Sequence, residues 1–142
     1  MTTNDDVPPD FEPLFRTSPF LESVGRFYAK GAGADLVLGV RVEERAANAR
    51  GTAHGGFLAA LADVALGYAM ATSTEPPTRL TTVSLSLDYA GAAKVGDWVE
   101  TRVDIQRLGS QIGFANAYLY VGDKRIVRAS AVFARAPGDT HG

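Results

Sequence analysis

The stretch "NARGTAHGGFLAALADVALGYAMATS", Asn48 to Ser73, is a long apolar run with a single carboxylate, Asp63, in its middle. From Gly51 to Thr74 no other Asp, Glu, Lys or Arg occurs. Phe57 to Ala71 is predicted as a helix, entered through the turn-rich "ARGTAHGG" and followed by the breaker "EPP" from Glu75 to Pro77. Burying an ionised carboxylate is costly unless it is paired, and burial usually shifts its proton affinity instead. Asp63 is therefore either an expensive structural feature or a group that does chemistry.

Set at 100° per residue, Phe57, Leu61, Val64 and Tyr68 share one stripe, expected to pack against a sheet. Asp63 falls on another, among Gly56, Ala59, Ala60 and Gly67, with Leu66 and Met70 at its margin. Small neighbours let a second backbone or a ligand approach the carboxylate. Close helix packing, with Asp63 held by a hydroxyl, fits the same pattern equally well. The flank favours chemistry. Gly55 and Gly56 are expected to present free N–H groups at the positive end of the helix dipole, which suits the oxyanion formed when a carbonyl is attacked. Asn48 has an amide N–H₂ to offer the same oxygen. His54 reads first as a loop histidine bonded to local backbone, and second as a general base. Eight residues separate Gly55 from Asp63, about 12 Å of helix, so one carbonyl cannot meet both within one chain. A shared reaction needs two subunits with antiparallel helices, and so predicts a homodimer with two composite sites.

Outward from this helix the pattern changes to period two. "DLVLGVRVEE" sets Leu36, Leu38, Val40 and Val42 against Arg41 and Glu43. "LTTVSLSLDY" sets Val83, Leu85, Leu87 and Tyr89 on one face. Strands follow at Asp97 to Leu108, Gln111 to Val121 and Lys124 to Ala134, joined by the two-residue hairpin signals Gly109-Ser110 and Gly122-Asp123. Ser18 and Pro19 read as the N-cap and first residue of a short helix within Ser18 to Lys30. The expected division is a flexible arm over 1–13, one domain over 14–136 and a tail over 137–142. One long helix beside so many strands implies an α+β domain, the helix wrapped by an antiparallel sheet of about five to six strands.

Composition narrows the function. The chain has 142 residues and a net charge of −2 with scattered basic residues, which argues against a nucleic-acid partner. It has no cysteine, so thiol nucleophiles and thiolate metal sites are excluded. No convincing ligand cluster is visible, so neither metal nor cofactor is expected. The acidic N-terminus "MTTNDDVPPD" has no apolar core of a signal peptide, and the apolar run carries three glycines and Asp63, so no membrane span is expected and the location is read as cytoplasmic.

The spacing N-x-x-G-x-x-HGG from Asn48, with Asp63 nine residues after His54, resembles the hotdog-fold acyl-CoA thioesterases, most closely the PaaI-like branch. "TTVSLSLDYAGAAKVGD" is similar to that branch's next strand and loop, with Ala92 where a proline is common, and "PFLESVG" resembles its N-terminal helix. The resemblance implies a hotdog fold, an acyl-CoA substrate, and homodimers that pair into tetramers. It implies Asp63 as the carboxylate that activates water or attacks the thioester, the Gly55 N–H as oxyanion donor, Asn48 as its helper and His54 as the loop's support. It further implies a water-binding hydroxyl at Thr82, with Thr81 as the alternative if the register slips by one. Gly56, Thr81 and Val83 are then expected to line the substrate site. Arg79, Lys94, Arg107, Lys124 and Arg125 are available to CoA phosphates, none favoured over the others. Two rivals remain: a hotdog hydratase or dehydratase, and a non-catalytic acyl-CoA-binding protein.

Overall fold

The computed structural model describes residues 6–136. Seven antiparallel strands form one sheet: β1 (Glu12–Pro13), β2 (Phe27–Lys30), β3 (Val37–Arg41), β4 (Leu80–Tyr89), β5 (Trp98–Leu108), β6 (Ile112–Val121) and β7 (Lys124–Arg135). Their order across the sheet is β1-β2-β3-β5-β6-β7-β4. A short helix α1 (Pro19–Val24) precedes β2, and the long helix α2 (Gly55–Ala71) connects β3 to β4. The α+β expectation holds, with α2 as the filling of a curved sheet.

The period-two faces meet the helix as their patterns require. Leu36, Leu38, Val40 and Val42 are all buried, and so are Ala115, Ala117 and Leu119 of β6 and Val127, Ala129, Ala131 and Phe133 of β7. They pack on Phe57, Leu58, Leu61, Ala62, Ala65, Leu66, Ala69 and Met70 of α2. This buried arc differs from the expected one. Val64 and Tyr68 lie only partly buried, packed against the edge of the core beside Asp63 and Gly67. The sheet takes the small side chains at 62, 65 and 69 instead, because alanines let strands approach the helix axis closely.

The N-terminal end also differs. The sheet has seven strands, not five to six, because two short ones at the N-terminal end carry no alternation long enough to read. The first is β2. Ser18 caps the short helix α1 and Pro19 opens it, as expected; Gly25 ends it, donating its N–H to Leu21 O at 3.2 Å, and Phe27 turns into the core opposite Val40. The second is β1, inside the segment expected as a flexible arm. Residues 6–13 are packed down: Phe11 is buried edge-to-face on Trp98, with ring centroids 5.2 Å apart. Gly39 of β3 makes the room, since a Cβ there would overlap the Trp98 indole. Arg41 ties the segment from below, donating to Asp6 O at 2.6 Å and Gly96 O at 3.0 Å. The remaining arm residues 1–5 and the tail 137–142 lie outside the described residues.

Candidate active site

The loop before α2 is built around Asn48. Its Oδ1 accepts from the N–H groups of Arg50 (2.9 Å) and Thr52 (3.2 Å), and its Nδ2 donates to Thr52 Oγ1 at 2.9 Å. Asn48 is thus the loop's clamp, with one amide N–H left over. His54 caps the helix: its Nδ1 accepts from the Gly56 N–H at 2.9 Å. That corrects the expectation that both glycine N–H groups are free. Gly56 is engaged, whereas the Gly55 N–H, first of the helix, has no partner among the described residues.

The tyrosine at the far end of β4 contributes a contact the sequence reading missed. Tyr89 Oη donates to Gly55 O at 2.7 Å, and its ring lies beside the Gly55 α-carbon. The signal was available, because Tyr89 shares the helix-facing side of β4 with Leu85 and Leu87. What was not visible is that β4 runs back along α2, so that its last residue meets the helix's first.

The beginning of β4 meets the middle of the helix. Thr82 Oγ1 donates to Asp63 Oδ1 at 2.9 Å, which brings together the two residues expected to act as a pair. Strict alternation back from Leu87 and Leu85 would turn Thr82 outward with Ser84 and Ser86. Instead a β-bulge falls between Thr82 and Ser84: Thr82 pairs with Phe133, Ser84 with Val132, and Val83 has no partner of its own. The extra residue re-aims the side chain, as bulges do. Val83, 62% exposed, is left outside the groove beside Asp63, so the substrate contact expected of it is not found in this chain.

That groove holds about 1000 Å³. Asp63 and Thr82 stand at one end; Gly67, Tyr68 and Ala71 continue along α2, Leu80 and Thr81 line β4, and residues 15–18 form the opposite wall. Phe15 stacks at a tilt on Tyr68, with centroids 5.4 Å apart, and Tyr68 Oη reaches Arg16 O at 3.4 Å. Asp63 is only half-buried, so it opens onto this space rather than being sealed in the core. Within one chain the groove thus joins Asp63 to Thr82 but not to Gly55, which lies two turns away along the helix. No three His, Cys, Asp or Glu side chains among the described residues are placed to hold a metal ion. No helix among them is long and apolar enough to cross a membrane.

Known proteins share this fold. The family model described as Thioesterase superfamily matches residues 50–127, a span that takes in His54, Asp63 and Thr82. The Pseudomonas aeruginosa protein PA0474, provisionally named an esterase, is 48% identical over 129 residues, which cover 90% of this chain and 96% of that one. The phenylacetic acid degradation protein PaaI of Thermus thermophilus, solved as a mutant, is 28% identical with a TM-score of 0.73, over 84% of this chain and 100% of that one. Zebrafish thioesterase superfamily member 2 is 25% identical with a TM-score of 0.70, over 78% of this chain and 81% of that one. With more than half the chain matched to one family and a relative at 48% identity along nearly its whole length, the protein belongs to the thioesterase superfamily, in its hotdog-fold, PaaI-like branch, and its general chemistry is thioester hydrolysis.

Proposed function

We propose that the protein hydrolyses acyl-CoA thioesters, aryl-CoA included, to a carboxylic acid and free CoA, without metal or cofactor. The observation that carries this reading is the Thr82–Asp63 hydrogen bond opening onto the groove. It holds one carboxylate oxygen still and leaves Oδ2 for a water or for the thioester carbon. The Thr82 hydroxyl, its proton given to Asp63, keeps lone pairs that accept from the same water. Asp63 takes a proton from that water, or attacks the acyl carbon itself. In the first route the water's oxygen bonds to the acyl carbon as the C–S bond breaks; in the second, Asp63 displaces the sulfur to give a mixed anhydride, which water then opens to the acid and free Asp63. In both, the sulfur leaves with a proton.

The developing oxyanion is assigned to the Gly55 N–H of a second subunit, which has a free donor at the positive end of a 17-residue helix. Tyr89 holds the Gly55 carbonyl and so fixes the direction of the peptide unit. Asn48 has one amide N–H to add, and His54 positions the turn. The homodimer this needs has surfaces to use. β4 ends the sheet with its outer edge unpaired among the described residues, and the half-exposed face of α2 carries Ala59 and Ala60. Further pairing into tetramers follows only from the family. A hydratase would want a histidine working with the acid; His54 instead spends its Nδ1 on the Gly56 N–H, which favours the hydrolase.

The test is thiol release from acetyl-, hexanoyl-, decanoyl- and phenylacetyl-CoA, with Asp63→Asn alongside. The expected outcome is turnover by the wild type and at least a hundredfold loss in a folded, dimeric Asp63→Asn, in the range of removing a general base. Undiminished turnover in that variant would give Asp63 a structural role instead.

A further inference from the structure

Gly67 is out of place by local rules. It sits in the interior of α2, where glycine is worse than alanine. Packing within the chain does not demand it: a Cβ there would meet Phe133 at 3.6 Å, ordinary contact, and φ is not positive. Contact between paired helices would not demand it either. If Gly55 of one helix reaches Asp63 of an antiparallel partner, the partner helix begins opposite Asp63, and Gly67, one turn further on, lies past its end.

What does lie over Gly67 is the groove. Asp63 and Thr82 stand at its start, Phe133 backs Gly67 at its floor, and Phe15 with Tyr68 makes an aromatic wall. From Asp63 to Thr72 the groove follows α2 for about 13.5 Å.

We propose that Gly67 is a specificity-determining residue: the substrate's apolar acyl group runs from the thioester carbon at Asp63 across Gly67 toward Thr72, against the Phe15–Tyr68 wall. The missing side chain is the passage. This rests on the thioesterase reading and adds which part of the molecule reads the acyl group. Each methylene buried in such a groove should gain about fourfold in kcat/KM until the chain outruns it.

The experiment compares wild type with Gly67→Ala on acetyl-, hexanoyl-, decanoyl- and phenylacetyl-CoA, and measures in parallel the binding of the free acids of the same lengths by calorimetry. Expected is a melting temperature that holds or rises by about 2–4 °C, since alanine suits the helix better. The kcat/KM ratio of decanoyl- or phenylacetyl-CoA to acetyl-CoA should fall at least tenfold, and the affinity for the longer acids should fall with it. An unchanged ratio with turnover intact overturns the proposal and leaves the thioesterase reading standing. So does a fall in melting temperature or in dimer content, which would make Gly67 a packing residue. If the wild type turns over none of the thioesters, the thioesterase reading fails. The acid-binding series then decides the groove alone: length-dependent binding lost in Gly67→Ala sustains it, and length-independent binding overturns it.

Discussion

The hydrogen bond from Thr82 Oγ1, at 2.9 Å, is the single polar contact that orients Asp63 among the described residues. A hydrogen bond to a charged group is worth about 1.5–3 kcal/mol, or roughly 10- to 100-fold in a rate that depends on it. Thr82→Val is therefore expected to lower kcat by that factor, and Thr82→Ser to restore most of it, as read from steady-state thiol release. Asn48 separates two roles by one atom. Asn48→Asp keeps the Oδ1 that accepts from Arg50 and Thr52 but removes the amide donor. If the amide serves the substrate carbonyl, activity should fall about tenfold or more at a nearly unchanged melting temperature. A loss of stability in step with activity would show that the clamp is all Asn48 supplies. Asp63 and Gly55 stood out as candidates because a lone acid in an apolar run and glycines at a helix start are local features, and Asn48 and His54 because they flank that start. Tyr89 was not, because its contact with Gly55 joins residues 34 positions apart.

At the level of elements, the turn of α1 into β2 and the docking of the N-terminal segment both depend on small residues meeting large ones. Gly39 leaves β3 without a side chain where Trp98 lies across it, and Phe11 closes on the indole. Gly39→Ala should lower stability by about 1–3 kcal/mol, the usual cost of overpacking a filled site. Thermal unfolding reads this directly, and an unchanged melting temperature would mean that Trp98 moves freely aside. Strand β4 carries the corresponding lesson for the site. Its alternation predicted the core face correctly at Leu85 and Leu87, yet Thr82 reaches Asp63 only because one residue is inserted at Val83. Nothing in the local pattern announces that insertion, since Thr-Thr-Val-Ser permits either register.

For the whole molecule, the separation of Gly55 and Asp63 along one rigid helix means that, if the two serve one reaction as proposed, they must come from two subunits. Gly55→Pro tests it cleanly. His54 already has φ −61° and ψ 138°, the extended backbone a residue before proline requires, and proline is at home in the first helical position. The substitution removes the N–H and little else. Gly55→Pro and Asp63→Asn should each be nearly inactive alone. Mixed one to one and reassociated, half the dimers are hybrids with one intact composite site of two, so activity should return to about a quarter of wild type. A site confined to one chain gives no recovery.

The sequence by itself determined the helix, the meander and the residues rich in chemistry, because hydrophobic period, glycine placement and an isolated charge act over a few residues. The tertiary structure alone decided which atoms meet. It put the Tyr89 hydroxyl on Gly55 and brought Thr82 to Asp63 through a bulge. Those contacts are fixed by strand register and by the direction in which β4 returns along α2. Both are settled by the burial of a whole face at once, and no local stretch of the chain encodes them.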